Sequence, residues 1–480
     1  MRKALALMLI ILLPTLLAAQ MKPISEAQPL VLNNITVIDM TGAQPKPNMT
    51  VVIVGNRIAA LGRTGKVRVP KNVQTIDATG KFLIPGLWDM HVHLSETKTP
   101  FPLFIANGVL GVRHMGGNLK QVFQWREDVR LGKLLAPRIV TSGTVADGAD
   151  EGDWSVETLT AEQGRKAVSI NKNQGADFIK VYDGVSRDAY FALVEEAKRQ
   201  RISFAGHVPI AITSFEASDA GQRGFEHLGN ILRSSSTLPA NEIEQRADAL
   251  VKPSGKPGDF SHIPARIAEQ TKIELATYDR QKAEQLFARF VKNQTWQVPT
   301  LEIKRVLSYV DDGTFFNDPR MKYIPTAELE ELKPENNFLL KYRTPEFIRV
   351  KKLLYQKEFD LVREMHRARV GFLLGTDIPG YGYTGFTVHD ELALFVQAGF
   401  TPLEALETTT INPAKFLGLE KSLGTIEKGK LADLVLLDAD PLENIANTKK
   451  ISAVIINGKY LPKDSLQKML ADVEAIANKK

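Results

Sequence analysis

At 480 residues, with 44% hydrophobic and 24% charged side chains, the chain can hold one large α/β domain plus a smaller one and is too apolar for wholesale disorder. It has no cysteine, which excludes disulfides, thiolate metal sites and a cysteine-linked lipid anchor, so any metal must be held by His, Asp, Glu or a modified Lys. The formal charge of +6, from 61 basic and 55 acidic residues, is spread along the chain with only Lys479-Lys480 as a basic tip, and no stripe points to nucleic acid.

Arg2 and Lys3 precede an apolar run from Ala4 to Ala19 that is broken at Pro14 and Thr15, and Ala18-Ala19-Gln20 offers small residues for cleavage. Residues 1–20 therefore read as a signal peptide too short to span a bilayer comfortably. The mature protein is expected to be secreted, periplasmic where the source has two membranes, and free of the membrane after cleavage.

Short runs rich in β-branched residues follow at 30–32, 36–39, 50–54, 56–61 and 73–76, with Ala78-Thr79-Gly80-Lys81 as a turn. Residues 29–81 thus predict a small β unit. From 82 to about 377 the pattern changes to strands alternating with helical stretches, as in βαβ units. The first strand runs from Phe82 through Pro85-Gly86-Leu87-Trp88-Asp89-Met90-His91-Val92-His93. Further strands are predicted at Val109–Arg113, Arg138–Thr141, Asp177–Tyr182, Ile202–His207, Gly224–His227, Trp296–Leu301 and Val370–Thr376. Ser186 reads as the N-cap of a helix with apolar Tyr190, Leu193, Val194 and Ala197. Eight such units are the count of a (β/α)8 barrel of the TIM type, here over 82–423.

Two polar segments, 233–292 and 302–364, interrupt the alternation. Each follows a barrel strand, where loops reach over the catalytic face, and lids or substrate-selecting elements are expected there. Thr401-Pro402-Leu403-Glu404 is a capping box with Pro at the first helical position. Strand signals return over 424–462, so the simplest reading joins this segment to 29–81 as one small β-sandwich domain built from both ends of the chain. Leu466, Met469, Leu470, Val473 and Ile476 predict an amphipathic C-terminal helix within 463–480.

The chemistry-bearing residues fall at the ends of the predicted strands. His91 and His93, two apart on a strand, project to the same side as two ligands of one metal would. Lys180 lies near the end of the fourth strand, His207 and His227 end the fifth and sixth, and Asp377 follows the eighth. Barrel enzymes keep their catalytic groups at this end of the strands.

This set resembles the amidohydrolase superfamily with a binuclear metal centre. The flanks agree: Pro85-Gly86-Leu87 up to His93, Thr401-Pro402-Leu403-Glu404-Ala405-Leu406, Asn412-Pro413-Ala414 and Gly424-Thr425-Ile426-Glu427-Lys428-Gly429-Lys430-Leu431-Ala432-Asp433-Leu434 resemble the imidazolonepropionase-like and prolidase-like branch. The resemblance implies that His91, His93, Lys180 and Asp377 surround the more buried metal, and that Lys180, as an N6-carboxylated bridging ligand, holds the more exposed one with His207 and His227. It further implies two divalent ions, zinc by first choice, a hydroxide bridging them that attacks a carbonyl, and Asp377 as general base and then acid. Lys180 separates the binuclear, dipeptidase-like side from imidazolonepropionases proper, which use one metal and lack this lysine.

The implied function is metal-dependent cleavage of C–N amide bonds in a small-molecule amide or peptide, such as a dipeptide or an N-acyl amino acid. Alternatives are a lactonase or phosphotriesterase, a cyclic-amide hydrolase, and a non-catalytic scaffold relative. Homo-oligomerisation is left open. Tyr182 is equally readable as a substrate contact or as packing, and His114 stands where relatives often carry Asp. His389 reads as a helix-start residue, His262 and His366 as solvated, and Asp89 as a supporting or turn residue.

Overall fold

The computed structural model describes residues 29–479 apart from 72, 95–96, 117–118, 149–153, 240–241, 243–260 and 338–339. The expected signal peptide lies outside the described residues, and among these no helix is long and apolar enough to cross a membrane.

The strands, in chain order, are β1 (Leu30–Val37), β2 (Lys46–Val54), β3 (Arg57–Arg63), β4 (Gln74–Asp77), β5 (Phe82–Pro85), β6 (Leu87–Val92), β7 (Val109–His114), β8 (Arg138–Thr141) and β9 (Val145–Asp147). They continue as β10 (Ser155–Glu157), β11 (Phe178–Val181), β12 (Ser203–Gly206), β13 (Gly224–Glu226), β14 (Trp296–Val298), β15 (Leu434–Leu437), β16 (Ile451–Ile456) and β17 (Lys459–Pro462).

The chain ends combine into one hydrogen-bonded sheet, in the order β17-β16-β15-β5-β1-β2-β3 with β4 also paired to β1. The strands assigned here are hydrogen-bonded as one continuous sheet, so the expected sandwich does not appear as two separate sheets. Alternation builds its core: Leu30, Leu32, Ile35, Val51, Ile53, Leu83, Leu434, Leu436 and Ile455 are buried together. The predicted first strand is in fact two. β5 pairs with β1 and β15, whereas β6 pairs with β7, so the sheet extends past the expected boundary at 81 and the chain changes layers at Gly86. No side chain fits at that crossing, because a Cβ on Gly86 would lie 2.7 Å from Leu110.

Parallel strands occupy the middle of the chain, as a six-stranded sheet β10-β9-β11-β12-β13-β14 and a three-stranded sheet β6-β7-β8. Isolated parallel bridges tie Ser142 to Phe178, Gln297 to Phe372 and Val92 to Ile378. The predicted eighth strand, Val370–Thr376, is not a regular strand. It is an extended segment whose backbone makes scattered bonds, among them Met90 N–H to the Leu374 carbonyl and Asp377 N–H to the His91 carbonyl. The strands β9 and β10 were not anticipated; each is only three residues long, too short for a periodic signal.

Helices cover the parallel strands because their apolar stripes face inward. The helix Arg187–Gln200 is N-capped by Ser186 and buries Tyr190, Leu193, Val194 and Ala197, as its spacing predicts. Capping boxes start the helices Ala161–Gln174, Ser214–Ala220 and Pro402–Glu407. The described parts of the two polar segments are largely helical, with Ile263–Ala276, Arg280–Asn293 and the long Pro345–Arg367. The C-terminal helix Lys463–Ala477 buries Leu466 and Val473 but leaves Ile476 about half exposed.

Candidate metal centre

His91 is in β6 and His93 lies just beyond it, Lys180 is in β11, and His207 and His227 follow β12 and β13 directly. Asp377 sits in the extended segment that bonds to β6. The structure gathers His91, His93, His227 and Asp377 at one point: Asp377 Oδ1 is 3.2 Å from His91 Nε2 and 3.3 Å from His93 Nε2, and Oδ2 is 3.7 Å from His227 Nε2. Ligand atoms of His91, His93 and Asp377 all lie within 4.8 Å of one another. The His227 ring is 4.7 Å from that of His91 and 4.9 Å from that of His207, which brings the fourth imidazole to the same cluster.

Backbone conformation aims these groups. His227 and Asp377 have φ of 59° and 60°, a left-handed conformation that non-glycine residues adopt at a cost of about 1 kcal/mol or more. Gly206, just before His207, has φ +135° and admits no side chain, since a Cβ would meet the Val181 carbonyl oxygen at 2.2 Å and Lys180 Cδ at 3.0 Å.

Each of the four imidazoles has Nδ1 engaged from behind. His93 Nδ1 donates to the Gly116 carbonyl oxygen at 2.9 Å, and His91 Nδ1 faces Glu226 Oε2 at 2.8 Å. His207 Nδ1 lies 3.1 Å from Asp183 Oδ2 and His227 Nδ1 2.8 Å from Thr300 Oγ1. At His91, His93 and His207 the partner is a carboxylate or carbonyl oxygen that only accepts, which leaves the lone pair of a neutral ring on Nε2, the arrangement of a ligating histidine with its supporting partner; the Thr300 hydroxyl at His227 can take either role. Thr300 is thereby withdrawn from capping the helix Leu301–Ser308, and the Glu391 side chain caps it instead, its two oxygens accepting from the N–H groups of Leu301 and Glu302 at 2.8 and 2.7 Å.

Lys180 is 1% exposed, and its Nζ has no hydrogen-bond partner among the described residues; the same holds for His91 Nε2. Orphaned polar atoms at such depth are costly and call for an occupant. The nitrogen and carboxylate donors gathered at His91 Nε2 suit a divalent cation. Burial lowers the Lys180 amine to about 8, against the pull of Glu226 and Asp377. Burial alone would raise the Asp377 carboxyl, but His91 and His227 beside it hold it well below the usual range.

The remaining sequence candidates divide. Asp89 is buried and supports the site, its Oδ1 accepting from the N–H of His91 at 3.2 Å and of Thr376 at 3.0 Å, and burial pushes it up to about 7. Tyr182 stacks on His207 with ring centres 4.1 Å apart. His114 is buried behind His93 and accepts from the Leu94 N–H at 3.0 Å, and burial lowers it to about 3. His389 lies in the helix Thr387–Gln397 with Nδ1 3.0 Å from Thr448 Oγ1. His366 is not solvated as expected, because it stacks on Phe400 at 3.8 Å, and His262 is half-buried.

Sequence reasoning missed Glu226, Arg113, Asp183, Thr300 and Trp154, the last with its ring 5.4 Å from that of His93. For Glu226 and Asp183 a signal existed, an acidic residue beside a strand-end histidine or lysine, but nothing in the sequence said which ring it would meet.

The model of the Amidohydrolase family matches residues 302–461, a segment that includes Asp377. The 5-methylthioadenosine/S-adenosylhomocysteine deaminase of Thermoanaerobacter pseudethanolicus is 25% identical over 484 aligned positions, covering 93% of this chain and 96% of the relative. Among solved structures, a bottromycin amidohydrolase superposes with a TM-score of 0.73 at 19% identity, covering 95% of this chain and 92% of the other. A Xaa-Pro dipeptidase with bound methionine superposes with a TM-score of 0.64 at 20% identity, covering 90% of this chain and all of the other. The family match over a third of the chain, the full-length relative and the shared fold agree with the residues gathered at the strand ends, and together they support the amidohydrolase superfamily.

Proposed function

We propose that this protein is a metal-dependent hydrolase of carbon–nitrogen amide bonds, acting on dipeptides or N-acyl amino acids. The observation that carries this reading is the meeting of four imidazoles and Asp377, with the Lys180 amine, which has no hydrogen-bond partner among the described residues, near enough to act electrostatically on His91, His207 and His227. In this reading the bridges between the parallel sheets complete an eight-stranded barrel, and 29–81 with 424–462 form a composite β domain beside it. The protein works in the periplasm after removal of residues 1–20.

His91, His93, Lys180 and Asp377 would hold one divalent ion, and Lys180, His207 and His227 a second, zinc being the first choice for nitrogen and oxygen ligands. Lys180 serves as a carbamate: its neutral amine adds carbon dioxide and loses a proton, giving an anion with two oxygen donors. When bound, the metals supply Lewis acidity and a water of lowered pKa. Asp377, ionised among the histidines, takes the proton of the attacking water and returns it to the departing amine.

The substrate class has its own support. A cavity of about 460 Å³ lies beside the segments that follow His207 and His227, lined by Arg233 and Lys282 and by Arg187, which is paired with Glu216. Such a lining favours an anionic group, and dipeptides and N-acyl amino acids carry a free carboxylate. The dipeptidase among the structural neighbours is in line with this class.

Metal content is the first test, on protein expressed with added zinc and bicarbonate, for wild type and Lys180→Ala. Close to two ions per chain, falling in the variant, supports the bridged site. One ion in both removes Lys180 from the ligands and favours a cyclic-amide hydrolase, and none in either favours a scaffold. A panel of dipeptides and N-acyl amino acids then tests the substrate: no amino-acid release sinks that class, and turnover confined to esters or lactones selects the lactonase alternative.

A further inference from the structure

Two of the most deeply buried charges in this chain stand behind the metal ligands. Arg113, on β7, and Glu226, at the end of β13, are 0% and 1% exposed. The guanidinium is wedged between the rings of Phe178 and Phe416, 5.5 and 5.1 Å from their centres. Its Nε donates to the Met90 carbonyl oxygen at 2.6 Å and its Nη2 to Glu226 Oε1 at 2.8 Å. The other carboxylate oxygen lies 2.8 Å from His91 Nδ1. A buried ion pair of this kind commonly returns no more stability than apolar residues of the same volume would, so stability does not account for it.

We propose that Arg113 and Glu226 are positioning residues. Arg113 aims the Glu226 carboxylate, and the carboxylate fixes the proton of His91 on Nδ1 so that Nε2 presents its lone pair to the metal. The inference rests on His91 being a metal ligand, as proposed above. An ionised carboxylate only accepts, so Nδ1 must donate, and a neutral ring then has its lone pair on Nε2. That Nε2 is buried, has no hydrogen-bond partner among the described residues and faces Asp377 at 3.2 Å.

Burial explains why His91 in particular needs this support. Its side chain is 1% exposed, against 24% for His93, 15% for His207 and 21% for His227. All four rings have a protein oxygen at Nδ1, but the more exposed ones could take water in its place, whereas the sealed His91 ring has Glu226 alone to fix its tautomer. Through the Met90 carbonyl the same guanidinium also holds the backbone one residue before His91, so ring and strand are set together.

The test compares Glu226→Gln with the double variant Arg113→Met/Glu226→Leu, titrating demetallated protein with Zn²⁺ and with Co²⁺ while circular dichroism and melting report the fold. A glutamine amide can donate to Nδ1 and so favours the wrong tautomer, whereas the double variant removes the ion pair as a unit. Both are expected to bind at least one metal about 10–100-fold more weakly, with an altered cobalt spectrum. The double variant is also expected to melt near the wild type. A folded variant with wild-type affinity and an unchanged cobalt spectrum overturns the proposal. Should both variants unfold, ¹⁵N-histidine spectra of the metal-free wild type decide, with the His91 signal assigned by its loss in His91→Asn: a proton on Nδ1 supports the proposal and one on Nε2 overturns it. A wild-type chain that takes up no metal overturns instead the functional reading beneath it, which tells the two failures apart.

Discussion

Gly206 separates His207 from the neighbouring strand and leaves no space for a methyl group. Its φ of +135° and the 2.2 Å approach of a Cβ to the Val181 carbonyl act together, so Gly206→Ala is expected to cost about 2–4 kcal/mol in urea unfolding. Metal content should fall as well, because β12 must shift against Lys180 to admit the methyl. At this scale the residue types of the site were legible: His91, His93, Lys180, His207, His227 and Asp377 could be singled out by order and by position at strand ends. Their supports were not. Glu226 meets His91 across 135 positions and Thr300 meets His227 across 73, and side chains so far apart in sequence carry no spacing signal.

The helix Leu301–Ser308 shows how one element is displaced in favour of the site. Thr300 turns its hydroxyl to His227, and Glu391, from the helix Thr387–Gln397, supplies the cap. Burial pushes Glu391 up to about 8. The folded carboxyl thus keeps its proton up to about pH 8, while the unfolded one releases it near pH 4.5. Between these values the folded chain binds more protons, so this group's contribution to stability is present below the window and is lost as pH rises through it. Glu391→Gln, which keeps an acceptor but cannot ionise, is expected to flatten that slope, with a melting temperature that changes less between about pH 5 and about pH 8 than in the wild type. Equal slopes in the two proteins would show that Glu391 does not titrate in this range. The expected strand over 296–301 ends early for the same reason: β14 stops at Val298, and the chain turns at Thr300 into the helix.

In the whole molecule the two ends of the chain are inseparable from its middle. β15 lies between β5 and β16, and β5 leads through Gly86 directly into β6 with its histidines. Arg138 of β8 also pairs with Asp433, just before β15. A chain ending at residue 423 would leave β5 with an open edge and an apolar face uncovered, and it is expected to be insoluble or to lack cooperative melting, measured by soluble yield and calorimetry. A soluble, cooperatively melting truncation would show that the rest of the chain stands without β15–β17.

The sequence by itself determined the alternation of strands and helices through the middle of the chain, the capped helices and the order of the chemistry-bearing residues. Each of these depends on local periodicity or on residue type. Only the tertiary structure decided that 82–93 divides between two sheets, that the eighth segment bonds as an extended chain without regular strand form, and which oxygen stands behind each imidazole. Those outcomes depend on contacts between residues far apart in sequence, which exist only once the strands lie side by side.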